Sequence, residues 1–385
     1  MPPLRFVLIA SSLVGLLHAY IGLRLLPALD AGGAGTAIGV VLLALCTLLI
    51  PVGLLARALQ GRMKQGLASA LTWAGLIAGG FASSLLVLTV IRDLLLLPAM
   101  AVLPGATLLA AARYSAWGVP LLALGFTAIG LFNARRRPQV VEVDVPLRDL
   151  PAALHGFTIT QISDIHVGPT IKRAFLERIV DQVNGLESDL VAITGDLVDG
   201  SVPELARHVE PLARLQARHG SFFVTGNHEY YSGAAAWVGE LRRLGLVVLQ
   251  NQHVVLQHQG SALVLAGVTD YSAHHFDERQ RSDPQAALVG APQNAVPKIL
   301  LAHQPRSAAA AQAAGFHLQL SGHTHGGQFL PWNFFVRLQQ PFTAGLHRLQ
   351  DLWVYTSRGT GYWGPPKRLG APAEITRLRL LPADD

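Results

Sequence analysis

The stretch SGHTHGGQ (residues 321–328) follows an apolar run, FHLQL, that ends at Leu320. It places His323 and His325 two positions apart among glycines. Glycine lets the backbone take positive φ and approach another group closely, and neutral imidazole is a common metal ligand. A loop histidine is more often solvated or hydrogen-bonded than bound to a metal. A metal site is therefore predicted only if the rest of the chain supplies partners.

Four other short apolar runs in the second half of the chain are also followed by polar side chains. The runs are FTITQI (157–162), DLVAIT (189–194), SFFVT (221–225) and KILLA (298–302), and each has the length and composition of a strand. The side chains that follow them are Asp164 and His166, Asp196, Asn227 and His228, and His303. Binding groups gather at the carboxyl ends of strands in α/β sheets, so we expect the five segments to form one site.

The segments between these runs favour an α/β fold. Residues 172–184 and 203–218 carry apolar side chains at helical spacing, and ALVLAGV (262–268) is a further strand. Alternating strands and helices indicate a layered sheet with crossover helices. Residues 136–156, which contain the alternating run VVEVDV, are interpreted as a linker with a short strand.

The predicted site has a donor set suited to two metal ions. Two carboxylates, one amide and four histidines, with His228 set aside, exceed what one tetrahedral ion binds. Mixed nitrogen and oxygen donors suit manganese, iron or zinc and disfavour calcium. Two ions about 3.5–4 Å apart can generate hydroxide from water and hold both oxygens of an in-line displacement at phosphorus. The predicted reaction is therefore hydrolysis of a phosphoester or phosphoanhydride by a metal-activated hydroxide, with manganese the favoured metal.

Together, SDIH, GDLVD, GNHE, His303 and GHTHGGQ resemble the five sequence blocks of the calcineurin-like metallophosphoesterases, in order and spacing, over residues 157–380. The resemblance implies a four-layer α/β/β/α sandwich with a dinuclear site. It implies that the first metal is bound by Asp164, His166 and His325, the second by Asn227, His303 and His323, and that Asp196 bridges them. It also implies that His228 protonates the leaving oxygen or stabilises the transition state, and that Asp199 orients His228.

Departures from the family pattern narrow the substrate class. The phosphoprotein phosphatases of the family have an arginine soon after the GDxxD block, whereas Gly200 and Ser201 follow Asp199 here. This disfavours a phosphoserine or phosphothreonine protein substrate. Gln328 and RGTGYWGPPKRLGAPAEI (358–375) instead resemble a membrane-attached bacterial branch of the family. That branch is similar to lipid-linked diphosphate hydrolases, including enzymes that cleave UDP-2,3-diacylglucosamine in lipid A biosynthesis.

An aromatic segment after the histidine loop is compatible with a lipid substrate. FLPWNFFVRLQQPF (329–342) could reach the lipid interface or line an acyl groove, as could Tyr362 and Trp363, although a core strand would explain several of these residues equally well. The alternative function is a membrane-tethered phosphodiesterase that acts on nucleotides or other small soluble phosphodiesters. A scaffold without activity or a transporter is less favoured, because every ligand type is present and the apolar stretches carry few polar groups.

The first 135 residues differ in composition from the rest and are predicted to form a bundle of about four transmembrane helices. Up to residue 134 they contain only two acidic residues, Asp30 and Asp93. Four stretches are apolar and long enough to approach the roughly 20 residues that span a bilayer, namely Phe6–Leu26, Ile38–Leu59, Leu67–Ile91 and Trp117–Phe132. Leu94–Ala112 is ambiguous, and could be a fifth span, a re-entrant segment or an extension of the third helix.

Arg92 and Asp93 lie near a membrane boundary, where they could pair or line a polar pocket.

Basic residues predict the orientation of these spans. With four spans, one side carries seven cations, Arg5, Arg57, Arg62, Lys64, Arg135, Arg136 and Arg137, and the other carries Arg24, Arg92 and Arg113. The positive-inside rule then predicts a multi-pass protein of the inner (cytoplasmic) membrane whose termini and catalytic domain are cytoplasmic.

Composition also excludes some classes of protein. The chain has 30 basic and 24 acidic residues, a net charge of +6, and no Lys/Arg-rich run with interleaved aromatics, so nucleic acid is not an expected partner. Its one cysteine, Cys46, excludes an intrachain disulfide framework and a cysteine-based metal site. The expected partners are the lipid bilayer and a phosphorylated substrate, with no protein partner inferred. His274, His275, Asp277 and His347 fall outside the five blocks that carry the family resemblance and are interpreted as loop or rim residues.

Overall fold

The computed structural model describes residues 4–59 and 63–383, so Arg62 of the predicted charge pattern lies outside the described residues. The chain divides into two compact units. The first comprises Met1–Asn133 and Gly364–Lys367, and the second comprises Ala134–Trp363 and Arg368–Asp385.

Within residues 4–59 and 63–133, the first unit contains four long helices. They are α1 (Leu4–Leu29), α2 (Gly32–Ala58), α3 (Gln65–Val102) and α4 (Gly105–Arg135). All four are long and apolar enough to cross a membrane. The ambiguous stretch Leu94–Ala112 forms the end of α3 and the start of α4, with the break at Leu103 and Pro104. It is therefore not a separate fifth span.

Helices α2 and α3 pack through small residues, and all four helices expose many large apolar side chains. A Cβ atom on Gly53 of α2 would lie 2.8 Å from the Cα atom of Gly75 on α3, so these two helices touch through their backbones. Leu23, Leu42 and Phe132, among many others, are more than half exposed. Exposed apolar surface of this extent is what a lipid-facing bundle requires.

Polar contacts in the first unit involve the charges noted in the sequence. Arg92 Nη1 lies 3.1 Å from Asp93 Oδ1, and Asp93 also accepts hydrogen bonds from Arg24 and Tyr20, each at 2.7 Å. The pairing considered for Arg92 and Asp93 is therefore present.

Lys367 Nζ donates to the carbonyl of Gly80 at 2.9 Å, which explains why the segment Gly364–Lys367 groups with the helices.

The residues of the second unit that the structure describes form twelve strands and six helices. The strands are β1 (Gln139–Leu147), β2 (Thr158–Ile162), β3 (Leu190–Ile193), β4 (Ser221–Phe223), β5 (Val247–Val248), β6 (Gln252–His258), β7 (Ser261–Gly267), β8 (Lys298–Leu301), β9 (Leu318–Ser321), β10 (Gly345–Leu349), β11 (Leu352–Thr356) and β12 (Glu374–Pro382). The helices are α5 (Arg173–Asn184), α6 (Val202–Val209), α7 (Asn227–Ser232), α8 (Ala234–Arg243), α9 (Ala308–Ala313) and α10 (Trp332–Val336).

The strands form two six-stranded mixed sheets. The first has the order β1-β12-β2-β3-β4-β5 and the second the order β10-β11-β9-β8-β7-β6. Within them, β2, β3, β4 and β5 run parallel, as do β7, β8, β9 and β11. Parallel strands place the loops that follow them at one edge of each sheet, and these loops carry the candidate site.

Burial on both faces of each sheet accounts for the layered architecture. One apolar cluster between the sheets joins Ile159 and Leu190 of the first sheet to Leu265 and Ile299 of the second. A second cluster packs the first sheet against α5, α6 and α8, and a third packs the second sheet against α9. The second unit is therefore a helix–sheet–sheet–helix sandwich, as predicted.

Two predicted segments differ from the observed structure. The stretch expected to be a linker with a short strand, residues 136–156, contains that strand as β1. This strand pairs in parallel with β12 over nine residues, so it belongs to the first sheet and not to a linker. The helix predicted over 203–218 begins at Val202 and ends at Val209. It continues only as a 3₁₀ turn, Glu210–Arg214, because Pro211 lacks the N–H that an α-helix would need there.

Candidate metal centre

The structure brings all seven predicted ligand residues together at the carboxyl ends of the parallel strands. Asp164 and His166 follow β2, Asp196 follows β3, Asn227 begins α7 after β4, His303 follows β8, and His323 and His325 follow β9. All seven side chains are buried or nearly so. Both sheets therefore contribute ligand-type side chains to one buried cluster.

Three of these residues form one group of potential ligands. Asp164, His166 and His325 offer donor atoms that all lie within 4.8 Å of one another. The Nε2 atoms of His166 and His325 are 3.1 Å apart, and His325 Nε2 lies 3.5 Å from Asp164 Oδ1. These separations suit three donors that surround a single ion.

A second group lies beside the first and shares a carboxylate with it. Asp196, His303 and His323 also offer donors within 4.8 Å of one another. His303 Nε2 lies 3.2 Å from both Asp196 Oδ2 and His323 Nδ1. Asp196 Oδ2 lies 3.9 Å from His166 Nε2 of the first group. The Asp196 carboxylate therefore stands between the two groups, where a bridging ligand belongs.

An unsatisfied buried atom supports metal binding by the second group. The Oδ1 atom of Asn227 is buried without a hydrogen-bond partner among the described residues. Buried polar atoms are almost always hydrogen-bonded, so such an exception calls for a ligand, ion or water. Asn227 precedes His228, whose backbone N–H donates to Asp196 Oδ1 at 2.8 Å. An amide oxygen together with imidazole and carboxylate donors suits a divalent cation, and the residues present fit a dinuclear centre.

The backbone around the ligands is strained in a pattern centred on this cluster. Five predicted ligands have positive φ angles between 50° and 69°, namely Asp164, His166, Asp196, His323 and His325. Positive φ is uncommon outside glycine, and such strain concentrates at functional sites. The surrounding loops hold the backbone of these five residues at φ angles that an unfolded chain would rarely adopt.

Two glycines permit the loops to approach each other. A Cβ atom on Gly322 would lie 2.0 Å from Ser163 Oγ and 2.1 Å from Asp164 Oδ2. A Cβ atom on Gly226 would lie 2.2 Å from Asp196 Oδ1. Neither position can hold a larger side chain without moving a predicted ligand.

The charges of the cluster are arranged so that two histidines are neutral. Burial, together with the charge of His303, lowers the pKa of His323 to about 3. Burial and the charge of His166 likewise hold the pKa of His325 well below its usual range. Burial opposes ionisation of Asp196, but His303, His228 and His166 outweigh it and hold the pKa of that carboxyl well below its usual range. Deprotonated imidazoles and carboxylates are the forms that bind metal.

His228 lies at the edge of the cluster and points one nitrogen at each of two carboxylates. Its Nδ1 atom donates a short hydrogen bond to Asp199 Oδ1, and its Nε2 atom lies 3.9 Å from Asp196 Oδ2. Burial lowers the pKa of His228, but the hydrogen bond to Asp199 and the charges of Asp196 and Asp199 outweigh it and raise the pKa to about 9. At neutral pH the imidazole is therefore protonated, and its Nε2 atom lies on the side of Asp196.

Glu229 is a residue whose importance the sequence did not reveal. Its carboxylate is fully buried and accepts hydrogen bonds from the backbone N–H groups of Asp196, Leu197, Val198 and Gly226, at 2.7–3.3 Å. It thereby joins the loop after β3 to the loop after β4. Its position within GNHE was the only available signal, and composition alone could not distinguish it from a solvated glutamate.

Arg368 is a second functional-site residue that the sequence did not predict. Its guanidinium is fully buried, and it donates to the carbonyls of Gly361 and Ala371 at 2.5–3.0 Å and lies 3.2 Å from His325 Nδ1. Burial lowers the pKa of Arg368, to about 10, which leaves it charged at neutral pH. The guanidinium therefore braces the loop that carries His325.

The predicted lipid-contact residues differ in exposure. Tyr362 is 2% exposed and belongs to the core of the first sheet, so the expectation that it contacts lipid is wrong. Trp363 is 49% exposed and lies edge-on to His228, with ring centroids 5.5 Å apart. Residues 329–342 form the short helix α10 and flanking loops rather than a core strand.

The residues interpreted as loop or rim residues do not belong to either ligand group. They are His274, His275, Asp277 and His347.

Comparisons with known proteins agree with this geometry. The family model of the calcineurin-like phosphoesterases matches residues 157–327. A protein of Danio rerio described as a transmembrane protein with metallophosphoesterase domain is 40% identical over 275 residues, which cover 68% of this chain and 63% of that protein. This chain thus spans less than two thirds of that relative.

Bacterial relatives are covered more fully. An uncharacterized metallophosphoesterase of Helicobacter pylori is 39% identical over 268 residues, which cover 69% of this chain and 70% of that protein. Another from Aquifex aeolicus is 33% identical over 224 residues, which cover 58% of this chain and 84% of that protein. The chain belongs to the calcineurin-like metallophosphoesterases, and its described residues include four helices long and apolar enough to span a membrane.

Proposed function

We propose that the chain uses two divalent metal ions to hydrolyse the diphosphate of a membrane lipid such as UDP-2,3-diacylglucosamine. The observation that carries the dinuclear assignment is the Asp196 carboxylate, which lies within 4 Å of histidine donors from both ligand groups. A single shared carboxylate flanked by two sets of donors is the arrangement that two-metal hydrolysis requires.

Each ligand group would hold one ion. Asp164, His166 and His325 would bind the first, Asn227, His303 and His323 the second, and Asp196 both. The mixed nitrogen and oxygen donors favour manganese, with iron or zinc as alternatives. When bound, the ions would lower the pKa of a water molecule and neutralise charge on the phosphoryl oxygens.

His228 would supply the proton for the leaving oxygen. Because its Nδ1 atom is committed to Asp199, its Nε2 atom is the one that faces the centre. A protonated imidazole in that position can donate to the oxygen that departs from phosphorus, or stabilise charge that develops there. Asp199 would act through His228 by fixing its tautomer and ring orientation.

Two features favour a substrate in the membrane. The four apolar helices keep the hydrolase at a bilayer, and the side chains that border His228 include the exposed rings of Tyr231 and Trp363. The excess of basic residues on one side of the predicted spans favours an inner-membrane protein with a cytoplasmic catalytic domain. A lipid diphosphate that is made on the cytoplasmic leaflet would then be within reach.

The experiment that tests this function is release of UMP from UDP-2,3-diacylglucosamine. Detergent-purified full chain with Mn²⁺ is compared with His228→Ala, whose metal content is measured as a folding control. We expect release by the wild type and a loss of at least 100-fold in the variant. Absence of release, together with His228-dependent cleavage of an aryl phosphodiester, would contradict the lipid assignment and favour the tethered phosphodiesterase that acts on small soluble substrates.

A further inference from the structure

An exposed apolar surface lies directly beside the metal centre. Within nine residues, five large side chains are open to solvent: Leu330 (48% exposed), Trp332 (43%), Phe334 (67%), Phe335 (54%) and Leu338 (84%). We call these five residues the α10 patch. Apolar side chains exposed at this density mark a surface that is covered by something else in the working protein.

The α10 patch is fixed to the loops that carry the predicted ligands. A Cβ atom on Gly327, two residues after His325, would lie 2.2 Å from Asn333 Cα, so α10 rests directly on the histidine loop. Gln340 Nε2 donates to Gln304 Oε1 at 3.1 Å, next to His303. A surface that binds the α10 patch would therefore lie at a fixed distance from the metal centre.

The exposed aromatic residues of the catalytic domain lie on this side of the molecule. Among its described residues the exposed aromatic side chains are those of Tyr231, Tyr271, Phe276, Trp332, Phe334, Phe335 and Trp363, and each lies on a segment after β4, β7, β9 or β11, around the site. Apart from Leu330 and Leu338 of the α10 patch, the other exposed large apolar side chains among the domain's described residues are single valines, such as Val289, which is 78% exposed. The exposed aromatic surface is thus confined to the face that carries the metal centre.

We propose that the α10 patch inserts into the surface of the lipid bilayer and presents the metal centre to the membrane interface. The bilayer that covers the patch is the one that the chain's own helices are able to span. Helix α4 ends at Arg135 and β1 begins at Gln139, so three residues separate a spanning helix from the catalytic domain. Residues 329–350 contain no acidic side chain and include Arg337 and Arg348, a composition that suits an anionic headgroup region. Tryptophan and phenylalanine beside arginine are typical of elements that lie in a membrane interface.

The test uses the full chain in lipid nanodiscs with Cys46→Ser as the background. Phe335→Cys and Leu338→Cys are labelled separately with the environment-sensitive dye NBD, and Val289→Cys is the matched control at an exposed apolar position. We expect the dye at 335 and 338 to emit at shorter wavelength than at 289, and to be quenched at least twofold more by lipids brominated on their acyl chains. Equal, water-like emission and equal quenching at all three positions would overturn the proposal.

The same samples distinguish a bilayer from a second copy of the chain. Protection of the dye that persists in detergent without lipid and grows with protein concentration would indicate self-association and would also overturn the proposal. The insertion rests on the proposed membrane association but not on the substrate, so the labelling test can support it even if UMP release fails.

Where a lipid substrate is turned over, Phe334→Ala with Phe335→Ala should reduce that turnover more than turnover of a soluble aryl phosphodiester. Equal losses would contradict the role of the α10 patch.

Discussion

At the scale of single residues, the contact between Asp199 and His228 decides how the catalytic proton is held. The carboxylate accepts from Nδ1 and raises the pKa of the imidazole above its ordinary value. Asp199→Asn removes that charge, so the pKa of His228 falls and its protonated form is lost at lower pH. We expect kcat to fall about 10- to 100-fold and the alkaline limb of the kcat/KM profile to move to lower pH. An unchanged alkaline limb would show that His228 is not the acid.

Glu229 offers a second prediction at this scale, about metal binding rather than proton transfer. Its two oxygens accept from four backbone N–H groups, including those of Asp196 and Gly226. In Glu229→Gln the amide group would face two of those donors, which leaves buried N–H groups unsatisfied at a cost of about 1–3 kcal/mol each. We expect weaker Mn²⁺ binding and a lower unfolding midpoint, measured by titration calorimetry and thermal melting. Wild-type affinity and midpoint in the variant would exclude this bracing role.

At the scale of elements, the close approach of the loops after β2 and β9 depends on Gly322. A methyl group there would overlap Ser163 Oγ and Asp164 Oδ2. We expect Gly322→Ala to lower Mn²⁺ affinity at least tenfold, because Asp164 must move. The control is Gly239→Ala in α8, where no atom lies within 4 Å of the added Cβ and alanine favours the helix by about 1 kcal/mol. Equal metal affinity in the two variants would contradict the account.

The ligand-bearing loops and their strands were predictable because their patterns are local. Each run of five or six mainly apolar residues is followed within a few residues by polar side chains. Parallel strands bring such loops together whatever the details of packing. The role of β1 was not predictable, because its partner β12 lies more than 200 residues away along the chain. Pro211 indicates that α6 ends before it, but the helical spacing of Val209 and Leu212 predicts a helix that continues. The proline determined the outcome.

Other features depended on contacts that no local pattern records. Tyr362 and Trp363 are neighbours of similar character, yet the first is 2% and the second 49% exposed. Arg368 lies in a segment with no acidic neighbour in sequence, and its burial is compensated by backbone carbonyls and His325. Burial of a long polar side chain depends on where distant loops meet, and a single sequence does not give that information.

At the scale of the whole molecule, the metal ions should be part of the stability of the catalytic domain. Two carboxylates and four histidines lie buried in one cluster, and bound ions would satisfy them. Ligand at 100 times its Kd stabilises the folded state by about 2.7 kcal/mol, which for a domain of this size corresponds to about 5–10 °C in Tm.

The measurement is a fluorescence melt in detergent, in which the fully buried Trp237 reports on the catalytic domain. We expect the midpoint to fall after EDTA treatment and dialysis and to recover with Mn²⁺. His303→Ala is the control, and its midpoint should respond much less. A wild-type midpoint that is indifferent to Mn²⁺ would argue against ions buried in this cluster.

The most direct test of the central claim is the number of metal ions bound per chain. After reconstitution with Mn²⁺ and removal of free ion, mass spectrometry of the metal content should give two ions per wild-type chain. We expect His228→Ala to retain two, because we propose His228 as the acid and not as a ligand. We expect Asp196→Asn to lose at least one, because the Asp196 carboxylate lies within 4 Å of histidine donors from both groups. A fully active wild type with a single ion, or an Asp196→Asn variant that keeps two, would contradict the dinuclear centre.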